Sequence, residues 1–445
     1  MLSKSSSAAE DCGRFAAACK QLFAGGSILR VFHKHGPAKR RPPKIKSWEL
    51  ISALVFHCLR GTGTLAENTR ILTGKRIAES SMSERRQRTP WSVFTAIMEF
   101  ALQPKAQEKK HPEAFYSGLR LVAVDGTEFS VTNTPEILGS LTKAASRRLK
   151  AAFAKVRMVM LVELGLHNPL AAAIGKEGES ELALARNLLC SLPERSLLIA
   201  DRLYGVGAFV SLLAGEFAAK GGHYLVRVKS NLKARVIQAH SDGSASVEVK
   251  TSSGGRVLLR EVRGKVRRAQ GQWVEVRFWT SLHDAARHPA KELLGLYAWR
   301  WGQEMAYKEM KVDMRQSELL RSHTVETAAQ EIAALVLAHA ILAQQRMKIA
   351  AKGGCEVLRI SFAKTLDCLR SMWTVIALCE GSLTSHQMDA MVGQVLDFIA
   401  QCALPKRRKR SCPRALRQPV SSWPRLTKNT YANGGAEYQI IPVSA

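Results

Sequence analysis

Two aspartates stand where apolar strands end. Asp125 closes the run LVAVD and is followed at once by Gly126 and Thr127, and Asp201 closes SLLIAD in the same manner. Strand ends of an open α/β sheet are where ligands collect, and two hard oxygen donors projected from neighbouring strands make a seat for Mg2+. Acidic residues at strand ends also serve as turn formers and helix caps, so neither aspartate is diagnostic alone. A third group is more specific. Tyr297, Arg300, Glu304 and Lys311 are spaced by three, four and seven residues, which on an α-helix places all four on one broad face. A hydroxyl, a guanidinium, a carboxylate and an ammonium in that register can set a metal ligand among phosphate-gripping groups. The ordinary alternative is a surface Glu304 paired with Arg300 or Lys308.

The elements that must position these groups follow from the hydrophobic period. From Ser47 to about Gln103 apolar residues recur at three and four, as in Trp48, Ile51, Leu54, Val55 and Cys58, with breaks near Gly61 to Thr64 and at Gly74; a run of short helices is expected. The period then changes. Leu119 to Val131, Val156 to Leu166 and Leu170 to Ile174 read as strands, Glu179 to Leu189 as a helix, and Ser196 to Asp201 as a strand covered on both faces. Val206 to Phe217 reads as a helix and His223 to Val228 as a further strand, so the order is that of a mixed α/β sheet. Between about 236 and 284 the strands Ser246 to Lys250, Val257 to Val262 and Val274 to Trp279 break this alternation as a small β insertion. From Ala290 the chain reads as helical through Thr327 to Met347, and a last helical segment runs from Phe362 to Ala400.

Composition narrows the partner. The 445 residues hold 66 Lys and Arg against 37 Asp and Glu, a formal charge of +29. A chain this basic is suited to a polyanion, and an acidic regulator is excluded. At 46% hydrophobic and 23% charged it has the composition of a globular protein. Nine scattered cysteines without a CxxC pair fit neither a disulfide framework nor a zinc pattern, so reduced thiols are expected. No uninterrupted apolar run of about 18 residues is present, and Glu10 and Asp11 precede any apolar run, unlike a signal peptide. The expectation is a soluble, cytoplasmic protein that binds nucleic acid and no membrane.

The chain resembles the DDE transposases of the insertion sequence 4 family. Tyr297, Arg300, Glu304 and Lys311 match their Y-x2-R-x3-E-x6-K signature without a gap, VDGTEFSV is similar to the first catalytic Asp segment, and LLIADRLYGVGAFVSLL to the second. SMSERRQRTPW from Ser81 resembles the end of the family's helical N-terminal domain, and ELLRSHTVETAAQEIAALVLAHAIL from Glu318 resembles the helices after the catalytic Glu. The match spans most of residues 45 to 345. It implies an RNase H-like catalytic core, a mixed five-stranded sheet with flanking helices and a β insertion, in a transposase that cuts and joins DNA. It further implies that Asp125, Asp201 and Glu304 hold two divalent ions, Mg2+ or Mn2+, for an in-line phosphoryl transfer. Tyr297, Arg300, Lys311 and Arg202 would contact the DNA backbone. Some members stack a flipped base on a Trp of the insertion; here Trp273 and Trp279 flank Val276, where that role is expected, and packing within the insertion is the alternative. Double-stranded DNA, as transposon ends and as target, is the implied partner, a homodimer the implied assembly, and a bacterial nucleoid the implied setting.

Domains are accordingly expected at 1–46 (a flexible basic arm), 47–118 (helical, DNA-binding), 119–345 (catalytic), 346–400 (helical) and 401–445 (a basic, disordered tail containing KRRKR at Lys406 to Arg410). Arg147, Arg148 and Lys150 form a further basic cluster that either contacts DNA or is merely solvated. His167 and His223 are read as core or turn residues, because hard-metal sites prefer oxygen, and Glu163 is left out of the catalytic set. Two rival readings remain open: a metal-dependent nuclease without strand transfer, and a domesticated DNA-binding protein, against which stands the intact acidic set.

Overall fold

A computed structural model of the chain describes residues 44–144, 151–250, 254–267, 273–315, 317–379 and 382–405, together with Phe15, Cys19, Val31, Lys34 and the short stretches 410–411, 432–433 and 438–442. Helices α1 (Ser47–Arg60), α2 (Leu65–Thr73), α3 (Glu79–Gln87) and α4 (Trp91–Ala101) come first. Next are β1 (Phe115–Tyr116), β2 (Leu119–Ser130), α5 (Pro135–Ser140), β3 (Lys155–Glu163), β4 (Asn168–Gly175), α6 (Glu181–Leu188), β5 (Ser196–Ala200), α7 (Gly207–Leu212) and β6 (His223–Arg227). Strands β7 (Arg235–Ala239), β8 (Ala245–Lys250), β9 (Arg256–Arg267) and β10 (Trp273–Thr280) precede helices α8 (Ala290–Leu296), α9 (Trp301–Lys308), α10 (Val325–Lys352), α11 (Phe362–Leu378) and α12 (Ser385–Gln401), and β11 (Tyr438–Ile440) lies near the end. This is the mixed α/β architecture expected, with helices flanking the strands. The basic clusters at Lys39 to Arg41, Arg147 to Lys150 and Lys406 to Lys409 lie outside the described residues.

The chain divides into two units, each built from segments far apart in sequence. One comprises Met1–Phe115, Val124–Leu192 and Gly302–Ala403; the other comprises Tyr116–Ala123, Pro193–Trp301 and Leu404–Ala445, so that β2 gives its first half to the second unit and its remainder to the first. The helical segments at 47–118 and 346–400, expected as separate domains, are almost wholly parts of one unit. Their apolar stripes are buried together around α10, whose Ala328, Ala329, Ala333, Ala334 and Ala338 are fully buried and allow close helix contact. By length and composition α10 is apolar enough to cross a membrane, but 89% of its apolar window is buried inside the protein, the mark of a core helix. In the same unit β3 pairs antiparallel with β4. Glu163, at the end of β3, is fully buried and accepts N–H groups from Lys105 and Ala106, each at 3.0 Å, and from Asn168 Nδ2 at 3.0 Å. Its carboxylate ties the segment after α4 to the sheet, which accounts for a buried acid without catalysis.

Charge is also managed at the α1–α2 junction. His57 Nδ1 accepts from Asn68 Nδ2 at 2.9 Å, the same amide donates to Thr62 O and Thr64 O, and Asn68 Oδ1 accepts from Arg60 at 2.8 Å. Burial, with Arg321, Arg86 and Arg60 nearby, pushes the His57 imidazole down from 6.5 to about 4. Between those values the unfolded chain binds a proton that the folded chain excludes, so stability falls as pH drops from 6.5 towards 4. We predict a loss of about 3 kcal/mol over that window, at about 1.4 kcal/mol per pKa unit, seen in urea unfolding against pH. A His57→Gln variant should lack this component; an unchanged pH slope would refute the assignment.

The second unit carries the strand order β2-β5-β6-β10-β9-β8-β7. β5 and β6 are parallel, while β10 is antiparallel to both β6 and β9. The insertion therefore extends the sheet edge-on. Its strand β7, a mostly exposed segment, has no apolar run and was not legible as a strand. Within the stretch expected to be an unstructured tail, β11 pairs antiparallel with β9, Tyr438 opposite Val266 and Ile440 opposite Gly264. The seven described cysteines are free thiols.

Candidate active site

In the first unit, Asp125 marks the point where β2 leaves the core: Leu121 to Val124 are buried and Asp125 is half-buried. Its Oδ1 accepts the N–H of Gly126 at 2.9 Å, and its main-chain oxygen accepts the hydroxyl of Tyr307 at 2.5 Å. Burial raises the Tyr307 hydroxyl well above its usual range, reinforced by the charges of Asp125 and Glu181; the hydroxyl stays protonated and donating. Glu181 was not singled out from sequence. It opens α6, where Ser180 Oγ caps Ala183 N at 3.2 Å, and an acid in a first helical turn has an ordinary explanation in the helix dipole. The structure places its carboxylate against Gly126, where an added Cβ would collide with Oε2. We predict that Gly126→Ala keeps stability within about 1 kcal/mol, because it displaces only a flexible chain end, yet slows cleavage by up to about 100-fold by disturbing the acid beside Asp125. Cleavage at the native rate would refute this.

Glu304 is half-buried in α9, between two anchors. Gln303 Nε2 donates to Met160 O of β3 at 3.1 Å, and Tyr307 reaches β2 as above. The helix is not the uniform one that the spacing predicts. Tyr297 to Arg300 form a 3-10 turn, and Glu309 to Met314 a π-helical turn, so the single α-helical face is replaced by a mixed path. Lys311, inside the π turn, donates to Glu128 O at 2.9 Å and Thr127 Oγ1 at 3.2 Å, just beyond Asp125 on β2. Burial, then Arg315 and Lys155, lowers its pKa.

In the second unit, Asp201 follows the wholly buried strand β5. Its Oδ1 accepts Leu203 N at 2.7 Å and its main-chain oxygen accepts Tyr204 N at 3.2 Å, an Asx-type turn. Gly205 lets the chain approach β6, since a Cβ there would collide with Arg227 O. Arg202 is exposed. The Tyr297 ring lies 4.5 Å from that of Phe278, and the Arg300 guanidinium 5.9 Å from the Tyr297 ring. Burial raises the Tyr297 hydroxyl pKa; Asp201 adds to that rise, against Arg300 and Arg227.

Trp279 requires a correction. Expected as a surface for an unstacked base, it is 1% exposed and donates Nε1 to Glu261 Oε2 at 2.8 Å. β10 lies between β6 and β9, and from Val276 onward the residues on both its faces are buried. Trp273, at the strand's start, is half-buried. Trp299 and Trp301, on either side of Arg300, are 41% and 47% exposed; the sequence could not rank the tryptophans because their exposure depends on which strand neighbours they meet.

Within the first unit, Asp125, Glu181 and Glu304 are oxygen donors, the ligand type a hard divalent cation prefers. Among the described residues no three His, Cys, Asp or Glu side chains form a metal cage by themselves.

Strand-end carboxylates on an RNase H-like sheet, followed by a helical Glu beside Arg and Lys, define a class of enzymes that move phosphoryl groups in nucleic acids. Residues 116–341 match the family described as "Transposase DDE domain". The chain is 28% identical over 371 residues, 81% of either chain, to "Transposase InsG for insertion sequence element IS4" of Escherichia coli. It is 30% identical over 134 residues to "Putative transposase InsZ" of Escherichia coli, covering 29% of this chain and 43% of that protein. The chain belongs to the DDE transposases, of the insertion sequence 4 type, enzymes that cleave and transfer DNA and depend on divalent metal.

Proposed function

We propose that this transposase binds the terminal inverted repeats of an insertion sequence as a homodimer, cleaves the ends and joins them to target DNA. The observation that carries this reading is the intact series Asp125, Asp201 and Glu304 in a chain matching the family across residues 116–341. These three side chains would hold two Mg2+ ions, with Mn2+ as substitute. When bound, the ions activate an attacking oxygen and stabilise the departing one. The protein's own share is placement: Tyr307 and Gln303 hold the Glu304 helix against β2 and β3. Arg300, Arg202 and Lys311 bring positive charge to the DNA backbone, Tyr297 fixes Arg300, and the exposed faces of Trp299 and Trp301 suit an unpaired base. The net charge of +29 supplies sequence-independent attraction that should weaken steeply with salt. A bacterial cytoplasm with access to the nucleoid is the setting this activity needs, and the bacterial origin of the relatives supports it.

The test is a product assay on DNA carrying the element's own ends. Mg2+ or Mn2+ should yield both cleaved ends and joined target products, and chelation should leave binding without cleavage. Cleaved ends without any joined product would make the protein a nuclease. Binding without nicking in any metal would make it a domesticated DNA-binding protein.

A further inference from the structure

Five residues beyond Glu304, the Glu309 carboxylate is 4% exposed, and no chemistry proposed above uses it. Three basic side chains meet it. His167 Nδ1, from the β3–β4 turn, lies 3.0 Å from Oε1; Arg346 Nη1 donates to the same oxygen at 3.1 Å; His339 Nε2 lies 2.9 Å from Oε2. All three are buried, His339 completely, and Arg346 uses Nε and Nη2 on Ile360 O at 3.1 and 2.8 Å. Burial pushes the carboxyl up, but His167 and Arg346 outweigh it and hold it well below the usual carboxylate range.

Stability alone does not explain such a network, since well-packed apolar residues often serve as well in a core. A buried polar network fixes relative position through its directional bonds, and here His339 Nε2, His167 Nδ1 and Arg346 all bond to Glu309, although His339 Nδ1 is buried without a partner among the described residues. Here it fixes the segment that matters. His167, held at φ +55°, bonds to the segment after Glu304 and lies close to the helix before it. A Cβ on Gly302, two residues before, would lie 3.5 Å from His167 Nε2, and Glu309 binds Nδ1 five residues after. Glu309 also opens the π-helical turn from which Lys311 reaches β2. π turns are uncommon and concentrate at functional sites.

We propose that Glu309, clamped by His167, His339 and Arg346, is a positioning residue of the transposase site, holding the π turn so that Glu304 and Lys311 keep their places. This rests on the reading of Glu304 and Lys311 as active-site groups.

The experiment uses the full chain with end DNA and compares Glu309→Gln with Glu163→Gln, another buried carboxylate of the same unit. Glu309→Gln should lower single-turnover cleavage at saturating DNA by about 100-fold, the scale of a 1 Å misplacement, with KM for the ends within about two-fold. It should also speed amide exchange in the peptide 304–314. Glu163→Gln, destabilised comparably, should leave both readouts near native. If Glu309→Gln does not fold, His339→Gln keeps the Glu309–Arg346 pair and should show the same pattern at about ten-fold. Native cleavage or unchanged exchange at 304–314 in Glu309→Gln, or equal losses in Glu163→Gln, overturns the clamp. Glu304→Gln is run in parallel: if it still cleaves, the catalytic reading has failed, while the exchange readout decides the clamp independently.

Discussion

Replacing Glu304 by glutamine is expected to reduce DNA cleavage by at least about 10³-fold, equivalent to about 4 kcal/mol of transition-state stabilisation. Asp125→Asn and Asp201→Asn should behave alike. The size of the effect follows from charge rather than shape: each substitution keeps the side chain's outline and converts an anionic oxygen pair into a neutral amide that holds a hard cation poorly. Local structure should survive. An asparagine at 125 still accepts from Gly126 N, and one at 201 still accepts from Leu203 N, so unfolding free energies should move by less than about 1 kcal/mol. End binding should persist, because removing a negative charge from a chain at +29 does not weaken attraction to DNA. Groups acting as one unit are strongly non-additive, so any double variant should be hardly worse than a single one. Single-turnover cleavage with parallel gel-shift measurements checks this. A variant retaining more than about a tenth of native cleavage would remove that residue from the set.

Arg260→Met should cost about 3–5 kcal/mol, the range for breaking a buried ion pair by removing one partner. Arg260 is fully buried in β9. It donates to Ser244 Oγ at 2.8 Å, to Leu282 O at 3.0 Å and to His288 O at 2.7 Å, and it pairs with Asp242. Methionine fills a similar volume but leaves two carbonyls and a carboxylate short of their donor. Asp242 also accepts Ala290 N at 2.8 Å, so the same hub holds the start of α8, the helix that leads to Tyr297. Burial raises the Asp242 carboxyl, but hydrogen bonds from Ser244 and Ala290 and the Arg260 charge bring it below its usual value. Its contribution is therefore complete above the unfolded carboxylate pKa and is lost as pH falls through the folded one. Chemical denaturation of the variant at neutral pH measures the loss. A change under about 1 kcal/mol would show that the hub is not holding the insertion. The double variant with Asp242→Asn should cost clearly less than the sum of the two, because the stranded charge is then gone.

The sheet was legible where strands are internal. Ser196 to Ala200 and Leu121 to Val124 are continuous apolar runs because both faces are covered, and burial leaves no other composition open. β7 was not legible, being mostly exposed, and β11 was hidden in a tail whose pairing with β9 depends on an edge supplied by residues far away in sequence. Trp279 shows the same limit. Period-two reasoning places it with Glu275 and Arg277 on an outward face, yet Glu261 from the neighbouring strand β9 satisfies its indole and pairs with Arg277, so that face is buried from Arg277 onward and exposed only at Glu275.

By itself the sequence determined the class of chemistry, since oxygen donors at strand ends and the Tyr297, Arg300, Glu304, Lys311 spacing are local properties of residue type and order. It also determined the polyanionic partner, because net charge is additive. Only the tertiary structure decided what surrounds each acid. Glu163, Glu309 and Glu304 carry the same side chain, and residue type does not distinguish them. Burial does: Glu163 is sealed by main-chain N–H groups and Glu309 by His167, His339 and Arg346. A carboxylate's role depends on what surrounds it in three dimensions, and those neighbours come from segments up to 142 residues away.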